Sequence, residues 1–280
     1  MKIKELELIA NQIRKDVIYL VGKIEPGHVG GSLSICDIMT ALYFEIMNVS
    51  PENIDDDRRD RFVLSKGHCN EVYMATLANR GFIDKESLET YCNYLSKYCA
   101  HPSKNIKGVE VSTGSLGHGL SIACGMALNS KKSNLNYDVY VVLGDGELAE
   151  GSNYEALMFA NKYQLDNLYV IVDRNGLQIS GTTEEIMPLN PLKEKMETFG
   201  FYTEEIDGNN MDVVVKTFNK LKEIKNKPKM MIAKTVKGKG VSFMENELKW
   251  HEGGLNIEEY KIAMQDLEKI DKQLKEDIYG

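Results

Sequence analysis

The 280-residue sequence contains little cysteine, little histidine, one tryptophan and no excess of positive charge. Its five cysteines include no Cys-x-x-Cys pair, and an odd number indicates reduced thiols, which favours the cytoplasm. The net charge of −8 argues against a nucleic-acid partner, because phosphate backbones are bound through surplus lysine and arginine. Apolar runs are short and residues 1–10 mix Lys and Glu with apolar residues, so neither a membrane span nor a signal peptide is predicted.

Residues 137–176 contain the most informative pattern. One apolar run ends at Gly144-Asp145-Gly146, and a second ends at Asp173-Arg174-Asn175-Gly176. The segment 150–164 between them has apolar residues at helical spacing, which predicts a strand, a helix and a second strand. Because such a crossover makes the two strands parallel, Asp145 and Asn175 are expected at the sheet edge where open α/β sheets bind ligands.

Two hard oxygen ligands at one point suit Mg²⁺, which commonly leaves its other positions to water and substrate phosphates. Ca²⁺ or Mn²⁺ could substitute for it. Gly144 and Gly146 would let a diphosphate approach the backbone closely, and the start of a nearby helix would direct N–H groups at it. A lone Gly-Asp-Gly is more often a simple turn, but the placement of Asp145 and Asn175 at two strand ends favours a metal and diphosphate site.

The histidines lie outside amphipathic helical stripes. His28, His68, His101 and His118 adjoin Gly or Pro in predicted turns, and His251 follows the tryptophan. A single histidine is usually structural, but five in such contexts favour a functional cluster. Zinc is the alternative, although the spacing contains no short paired-ligand motif and no cysteine partner at such spacing.

These glycine-rich turns and histidines occur in an order that resembles the amino-terminal half of transketolases, which use thiamine diphosphate. The resemblance extends from about residue 10 to residue 255 and rests on the following segments: Gly27-His28-Val29-Gly30-Gly31-Ser32, Ser65-Lys66-Gly67-His68, His101-Pro102, Ser112-Thr113-Gly114-Ser115-Leu116-Gly117-His118-Gly119, Gly144-Asp145-Gly146, Asp173-Arg174-Asn175 and Trp250-His251. Arg174 departs from the family, in which two asparagines are common there. The resemblance implies a three-layer α/β fold, with a mostly parallel sheet and helices on both faces, and a single diphosphate-binding domain over residues 1–280.

The resemblance also implies roles for individual residues. The cofactor would contact His68, Gly114, Ser115, Leu116, Gly146, Asn175 and His251. The metal would take side-chain oxygens of Asp145 and Asn175 and the main-chain carbonyl of Leu177. His28, His101 and His251 would face the reacting carbon, His28 and His251 assisting removal of the C3 hydroxyl proton and His101 holding the C1 hydroxyl. An imidazole that titrates near neutral pH can donate or accept such protons.

Three further features have competing interpretations. Glu150 matches a family glutamate that lies at the dimer interface and links active sites, but a first-turn glutamate stabilised by the helix dipole explains it equally well. His118 is interpreted as structural, because many full-length transketolases have glutamine there. The lysine-rich segments 131–132 and 237–239 are predicted to be solvated loops, and for the second a flexible turn is favoured over a phosphate contact.

The rest of the chain is predicted only coarsely. A glycine-rich turn over residues 26–31 is expected to leave His28 in a loop before a helix capped near Ser32 or Ser34. Residues 85–96 are predicted to be helical, and residues 176–189 are predicted to form an active-site loop.

In transketolases, the glutamate that activates the cofactor belongs to a pyrimidine-binding domain, which this sequence does not contain. The resemblance therefore implies a complementary carboxy-terminal subunit that supplies this domain and its glutamate, in a heterotetramer with two copies of each subunit. The assembled enzyme would transfer a two-carbon ketol unit from a ketose or ketose phosphate to an aldose or aldose phosphate. This chain alone is expected to be inactive.

Other functions stay open at this point. An α-ketoacid dehydrogenase E1 subunit or a deoxyxylulose phosphate synthase would share the Gly-Asp-Gly feature, although the histidine set argues against both. A subunit that binds the cofactor without turnover is disfavoured by His28, His101 and His251. The sugar pair is undetermined, because contacts to the distal end of the substrate are expected mainly from the other subunit.

Overall fold

The computed structural model describes residues 1–22 and 27–280. In this part of the chain, five parallel strands form one sheet in the spatial order β1-β2-β3-β7-β6, and β4 and β5 form a separate antiparallel pair. The strands are β1 (Arg61–Leu64), β2 (Val139–Gly144), β3 (Leu168–Arg174), β4 (Leu177–Gln178), β5 (Gly181–Thr182), β6 (Tyr202–Asp207) and β7 (Lys229–Lys234). The predicted mostly parallel sheet is confirmed.

Helices cover the sheet. The α-helices of the described residues are α1 (Ile3–Val21), α2 (Val29–Ser34), α3 (Cys36–Ala41), α4 (Asn70–Arg80), α5 (His118–Lys132), α6 (Gly151–Lys162), α7 (Thr183–Ile186), α8 (Leu192–Thr198), α9 (Met211–Lys222) and α10 (Ile257–Tyr279). Short 3₁₀ segments occupy Lys85–Thr90, Gly146–Ala149 and Leu248–His251. Across residues 1–22 and 27–280, no helix combines the length and the apolar character needed to cross a bilayer.

Alternate residues of the strands point to opposite sides of the sheet and build two apolar cores. Tyr140 and Val142 of β2 pack with α1 to α4, α9 and α10, whereas Val141 and Leu143 pack with α5, α6 and α8. Each fully buried aliphatic side chain contributes about 1.5–3 kcal/mol of transfer free energy. Burial on both faces explains the continuous apolar runs of the central strands, and it confirms the predicted three-layer α/β architecture.

Backbone pairing fixes where the carboxyl ends of β2 and β3 lie. The two strands are in register with Gly144 opposite Asp173, and the Asp145 amide donates to the Asp173 carbonyl at 3.2 Å. The ladder therefore continues one residue beyond β2. Asp145 is held by this backbone contact at the edge where β3 ends.

Three local predictions are wrong. Residues 85–96 form only a short 3₁₀ segment, since Cys92 and Leu95 have positive φ values that end a right-handed helix. Residues 176–189 contain β4, β5 and α7 instead of an irregular loop.

The third wrong prediction is the start of α2, which begins at Val29 with His28 as its N-cap residue. Gly30 lies inside this helix, where an added Cβ would be 2.5 Å from the Trp250 carbonyl oxygen. This glycine serves close packing, whereas the glycine-rich pattern by itself predicts a turn. The predicted turn also includes Pro26, which lies outside the described residues.

Candidate active site

A cavity of about 380 Å³ opens at the carboxyl edge of the sheet. Its lining includes most of the site residues predicted from the sequence: His28, His68, Gly114, Leu116, Asp145, Gly146, Asn175, Leu177 and His251. The turns after β2 and β3 supply one wall, the start of α2 and the turn before α5 contribute another, and the segment 237–251 covers them. The fold thus brings together segments that are far apart in the sequence.

Oxygen atoms gather where β2 and β3 end. Asp145 accepts hydrogen bonds from the Gly146 amide at 2.8 Å, the Gly176 amide at 2.7 Å and Arg174 at 3.1 Å. Burial, followed by the nearby Asp173 charge, raises the pKa of Asp145. Asn175 turns its side-chain oxygen toward the Leu177 amide at 3.1 Å. Asp145, Asn175 and Leu177 therefore lie together at one corner of the cavity.

This corner suits a divalent cation and a diphosphate. Its donors are a carboxylate, an amide oxygen and a backbone carbonyl, which are hard ligands of the kind that Mg²⁺ takes alongside phosphate oxygens. At Gly144, an added Cβ would make only ordinary van der Waals contacts, with the Glu147 and Lys66 side chains at 3.9 Å, and Gly144 also lines the cavity. No group of three or more His, Cys, Asp or Glu side chains arranged for a metal occurs in the described part of the chain. The residues present fit an oxygen-coordinated metal that shares its shell with a diphosphate.

Three imidazole rings meet on the other side of the cavity. Ring centroids are 5.1 Å apart for His28 and His68, 5.9 Å for His28 and His251, and 5.8 Å for His68 and His251. The His28 Nδ1 atom is buried and has no hydrogen-bond partner among the described residues. Since buried polar atoms are normally paired, this nitrogen is available to a bound molecule.

The surroundings keep these imidazoles neutral at pH 7. Burial, followed by the charge of Lys66, lowers the pKa of His68 to about 2. Burial and Lys237 lower the pKa of His251 to about 3, and burial also lowers the pKa of His28. Burial therefore lowers the pKa of all three imidazoles below the ordinary histidine value on which the sequence analysis relied. Neutral rings can still accept a proton from a substrate hydroxyl.

Two buried lysines also line the cavity, and neither was predicted as a site residue. The Lys66 ammonium lies 2.5 Å from the Asp173 carboxylate and 3.1 Å from the Gly31 carbonyl. The Lys237 ammonium lies 3.2 Å from the Leu177 carbonyl and 2.8 Å from His251 Nδ1. Both side chains are only 2% exposed.

Lys237 contradicts the prediction of a solvated loop. Its turn is attached to α2, because the Gly238 amide donates to the Gly30 carbonyl at 3.0 Å. Burial, followed by repulsion from Lys66, lowers the pKa of Lys237 to about 8. The alternation of lysine and glycine over residues 237–240 is the sequence signal that could have identified it, because glycine-rich turns next to a cation commonly hold anions.

Four candidate residues lie at the margin of the cavity or outside it. His101 is half-buried, and its ring would be 3.0 Å from a Cβ placed on Gly114, so it packs against the predicted cofactor turn. Ser115 in that turn is exposed. Glu150 is exposed at the N-cap of α6, and His118 is exposed in the first turn of α5. Glu150 and His118 are not among the cavity-lining residues.

Comparison with known proteins agrees with this geometry. Residues 6–274 match the protein family described as "Transketolase, thiamine diphosphate binding domain". The chain belongs to this transketolase family. The matched region is the coenzyme-binding domain of the family, and this domain is described as binding thiamine diphosphate.

Two members of the transketolase family match nearly the whole chain. One, from Phocaeicola vulgatus, is named as a subunit of apulose-4-phosphate transketolase; it is 45% identical over 277 residues, which cover 99% of this chain and 99% of the relative. The other, from Clostridium sp., is named as a subunit of 6-deoxy-6-sulfo-D-fructose transketolase; it is 42% identical and covers 95% of this chain and 97% of the relative. This chain therefore corresponds in extent to relatives that are named as subunits.

A solved structure shows the same fold within a longer protein. The transketolase of Campylobacter jejuni superposes with a TM-score of 0.87 at 30% identity, covering 96% of this chain. The match spans 43% of the Campylobacter chain. The present chain thus accounts for less than half of that transketolase.

Proposed function

We propose that this chain is the diphosphate-binding subunit of a thiamine-diphosphate-dependent transketolase that transfers a two-carbon ketol unit from a ketose or ketose phosphate to an aldose or aldose phosphate. One observation carries the proposal. Asp145, Asn175 and Leu177, which fit a divalent cation and a diphosphate, line the same cavity as three neutral imidazoles. A site for an anionic coenzyme thus adjoins groups that can move protons.

The chain would hold the coenzyme by its charged end. Oxygens of Asp145, Asn175 and Leu177 would ligate Mg²⁺, or Ca²⁺ or Mn²⁺ in its place. Gly146 and Asn175 would contact the diphosphate. Other cofactor contacts would come from His68, Gly114, Ser115, Leu116 and His251. Lys237, which forms no ion pair with a carboxylate within residues 1–22 and 27–280, would add an attractive charge for the diphosphate.

The bound coenzyme supplies the electron sink that ketol transfer requires. The chain's own residues would handle the protons. His28 and His251 would accept the proton of the donor's C3 hydroxyl, since burial lowers the pKa of both rings and leaves them in the neutral form that can act as an acceptor. His101, next to the Gly114 turn, would hold the C1 hydroxyl and orient the two-carbon unit.

A second subunit would complete the enzyme. Two findings support a partner that supplies the pyrimidine-binding domain and the activating glutamate. The relatives that match nearly the whole chain are named as subunits, and the chain covers less than half of the Campylobacter transketolase. We expect a heterotetramer with two copies of each subunit, in which the exposed Glu150 lies at the interface between active sites. Residues 1–280 would act as one diphosphate-binding domain, located in the cytoplasm, where the free cysteines stay reduced.

Reconstitution tests this function. The chain, the complementary subunit, thiamine diphosphate and Mg²⁺ are mixed, and ketol transfer is followed on a panel of ketose donors that includes apulose 4-phosphate and 6-deoxy-6-sulfo-D-fructose, the sugars in the names of the relatives. Transfer should require all four components, and EDTA should abolish it until Mg²⁺ is restored. Carbon dioxide released from an α-ketoacid would indicate a different thiamine diphosphate enzyme. Cofactor binding without turnover on any donor would indicate a non-catalytic subunit.

A further inference from the structure

Glu147 is a buried acid that the proposed chemistry does not use. It lies two residues after Asp145, is 2% exposed and lines the cavity. One carboxylate oxygen accepts from the Gly144 amide at 3.0 Å, and the other accepts from the Gly117 amide at 2.8 Å and from the Ser65 hydroxyl. Burying a carboxylate is costly, and these three donors offset that cost.

The two amides belong to different turns. Gly144 opens the turn that carries Asp145, and Gly117 closes the turn that contains Gly114 and Leu116. Glu147 therefore joins, through one side chain, the turn that would hold the metal and diphosphate to the turn that would hold the rest of the cofactor.

The first turn of α6 strengthens this connection. Ser152 donates its hydroxyl to the Gly117 carbonyl at 2.9 Å, and Asn153 donates its amide to the Glu147 carbonyl at 2.7 Å. Gly117 has φ of +83°, and an added Cβ there would be 2.6 Å from Glu150 Cβ. The Gly117 turn is thus tightly packed against the segment that follows Asp145.

We propose that Glu147 is a positioning residue that sets the distance between the two cofactor-binding turns. The inference rests on the proposed function for its cofactor but on the contacts above for its geometry. Each turn donates a backbone N–H, so both carboxylate oxygens must be acceptors. An amide side chain has the same shape but one oxygen only, so it can accept from one turn while its NH₂ group opposes the amide of the other.

The chain contains a matched control at the opposite edge of the sheet. Asp60 is 8% exposed, and its carboxylate accepts from the Asn48 amide at 2.8 Å and from the Asp138 amide at 2.9 Å. Like Glu147, it bridges two backbone N–H groups, but it lies just before β1 and far along the strands from the cavity. Asp60→Asn therefore makes the same chemical change without touching the proposed site.

The decisive experiment compares Glu147→Gln with Asp60→Asn. In the assembled complex with Mg²⁺, calorimetric titration should give a Kd for thiamine diphosphate that rises about tenfold in Glu147→Gln and stays within about twofold in Asp60→Asn. Both variants should lose a similar amount of thermal stability. Equal affinities in the two variants would leave Glu147 a merely structural residue and overturn the inference.

Amide exchange in the chain alone separates this inference from the proposed function. Hydrogen exchange followed by mass spectrometry should be faster over residues 114–117, 144–146 or both in Glu147→Gln, and unchanged there in Asp60→Asn. Unchanged exchange at both turns in Glu147→Gln would show that Glu147 does not join them, whatever the complex binds. Absence of thiamine diphosphate binding by the wild-type complex would refute the proposed function, while the exchange data would still decide whether Glu147 joins the turns.

Discussion

The two ends of the sheet both bury charge, but they satisfy it differently. At the amino end, Lys229 is 1% exposed and donates to the Asp166 carbonyl and the Tyr169 hydroxyl, while Asp60 accepts from two backbone amides. At the carboxyl end, Lys237 is buried to nearly the same extent, yet it contacts only the Leu177 carbonyl and His251 among the described residues. Burial lowers the pKa of each lysine to about 8.

The difference favours the carboxyl end of the sheet as the ligand-binding end. Asp138 and Asp166 line the amino-end cavity together with Lys229, so charges of both signs face each other there. The cavity at the carboxyl end is also lined by charges of both signs, Asp145 and Glu147 with Lys66 and Lys237, and Lys66 is paired with Asp173. Lys237, which lies beside His251, has no carboxylate partner among the described residues. An anion bound there would relieve the repulsion between Lys237 and Lys66, which is a physical reason to expect a diphosphate at this end.

The largest effect is expected at Asp145, the proposed metal ligand. Asp145→Asn removes the carboxylate charge, so we expect Mg²⁺-dependent activity of the assembled enzyme to fall by on the order of a hundredfold or more. Asp60→Asn should leave the Mg²⁺ dependence unchanged. Activity measured across a Mg²⁺ titration gives both results, and equal metal dependence in the two variants would contradict the assignment of Asp145.

A smaller loss is expected from substitution of His101, the histidine next to the Gly114 turn. His101→Ala should lower kcat/KM for ketose donors that carry a C1 hydroxyl by about tenfold to a hundredfold, because the two-carbon unit loses its orienting contact. Steady-state kinetics with the complementary subunit present measure this effect. Normal transfer rates in the variant would remove His101 from the mechanism.

Substitution of the two buried lysines, one at each end of the sheet, tests the comparison directly. Lys237→Met should raise the Kd for thiamine diphosphate by about tenfold, because one charge-assisted contact to the diphosphate is lost. It should also move the pKa of His251 up from about 3, since Lys237 contributes to its lowering. Lys229→Met, the same change at the amino end, should reduce stability and leave cofactor affinity unaltered. Calorimetry and NMR titration of His251 provide the measurements, and equal effects of the two substitutions on affinity would count against a role for Lys237.

The smallest effect is a difference in the pH dependence of stability. The folded-state pKa of His68 is lowered from 6.5 to about 2, so its contribution is present above pH 6.5 and is lost as the pH falls, at about 1 kcal/mol per pH unit. Burial raises the pKa of Asp138 from 3.8 to about 6, so its contribution is present below pH 3.8 and is lost as the pH rises through about 6.

Urea unfolding at pH 7, 6 and 5 measures both slopes. His68→Gln should flatten the loss of stability on acidification, whereas Asp138→Asn should steepen it. Parallel curves for wild type and His68→Gln would show that His68 titrates normally in the folded chain.

Sequence reasoning identified the features that depend on local pattern. Apolar runs with a helix between them predicted parallel strands, and parallel strands placed Asp145 and Asn175 at one edge, where the structure has them. Lys237 escaped prediction because its burial depends on a contact with Gly30, more than 200 residues earlier in the chain. The Gly30 carbonyl accepts a hydrogen bond from the Gly238 amide, which holds the lysine turn against α2. Glu147 escaped because its two backbone donors, the Gly144 and Gly117 amides, belong to separate turns, and Gly117 lies 30 residues earlier in the chain.

The hydrogen-bond ladder between β2 and β3 continues to the Asp145 amide. The position of Asp145 therefore depends on the number of residues in β2. Apolar residues of similar volume could replace one another in the strands, because backbone pairing carries the ligand-bearing turn. Insertion or deletion of a single residue in β2 would instead rotate its side chains to the opposite layers and shift Asp145 along the strand by roughly 3.3 Å. Related sequences should therefore differ in β2 and β3 by substitutions, whereas insertions and deletions should occur in loops far from the proposed coenzyme site.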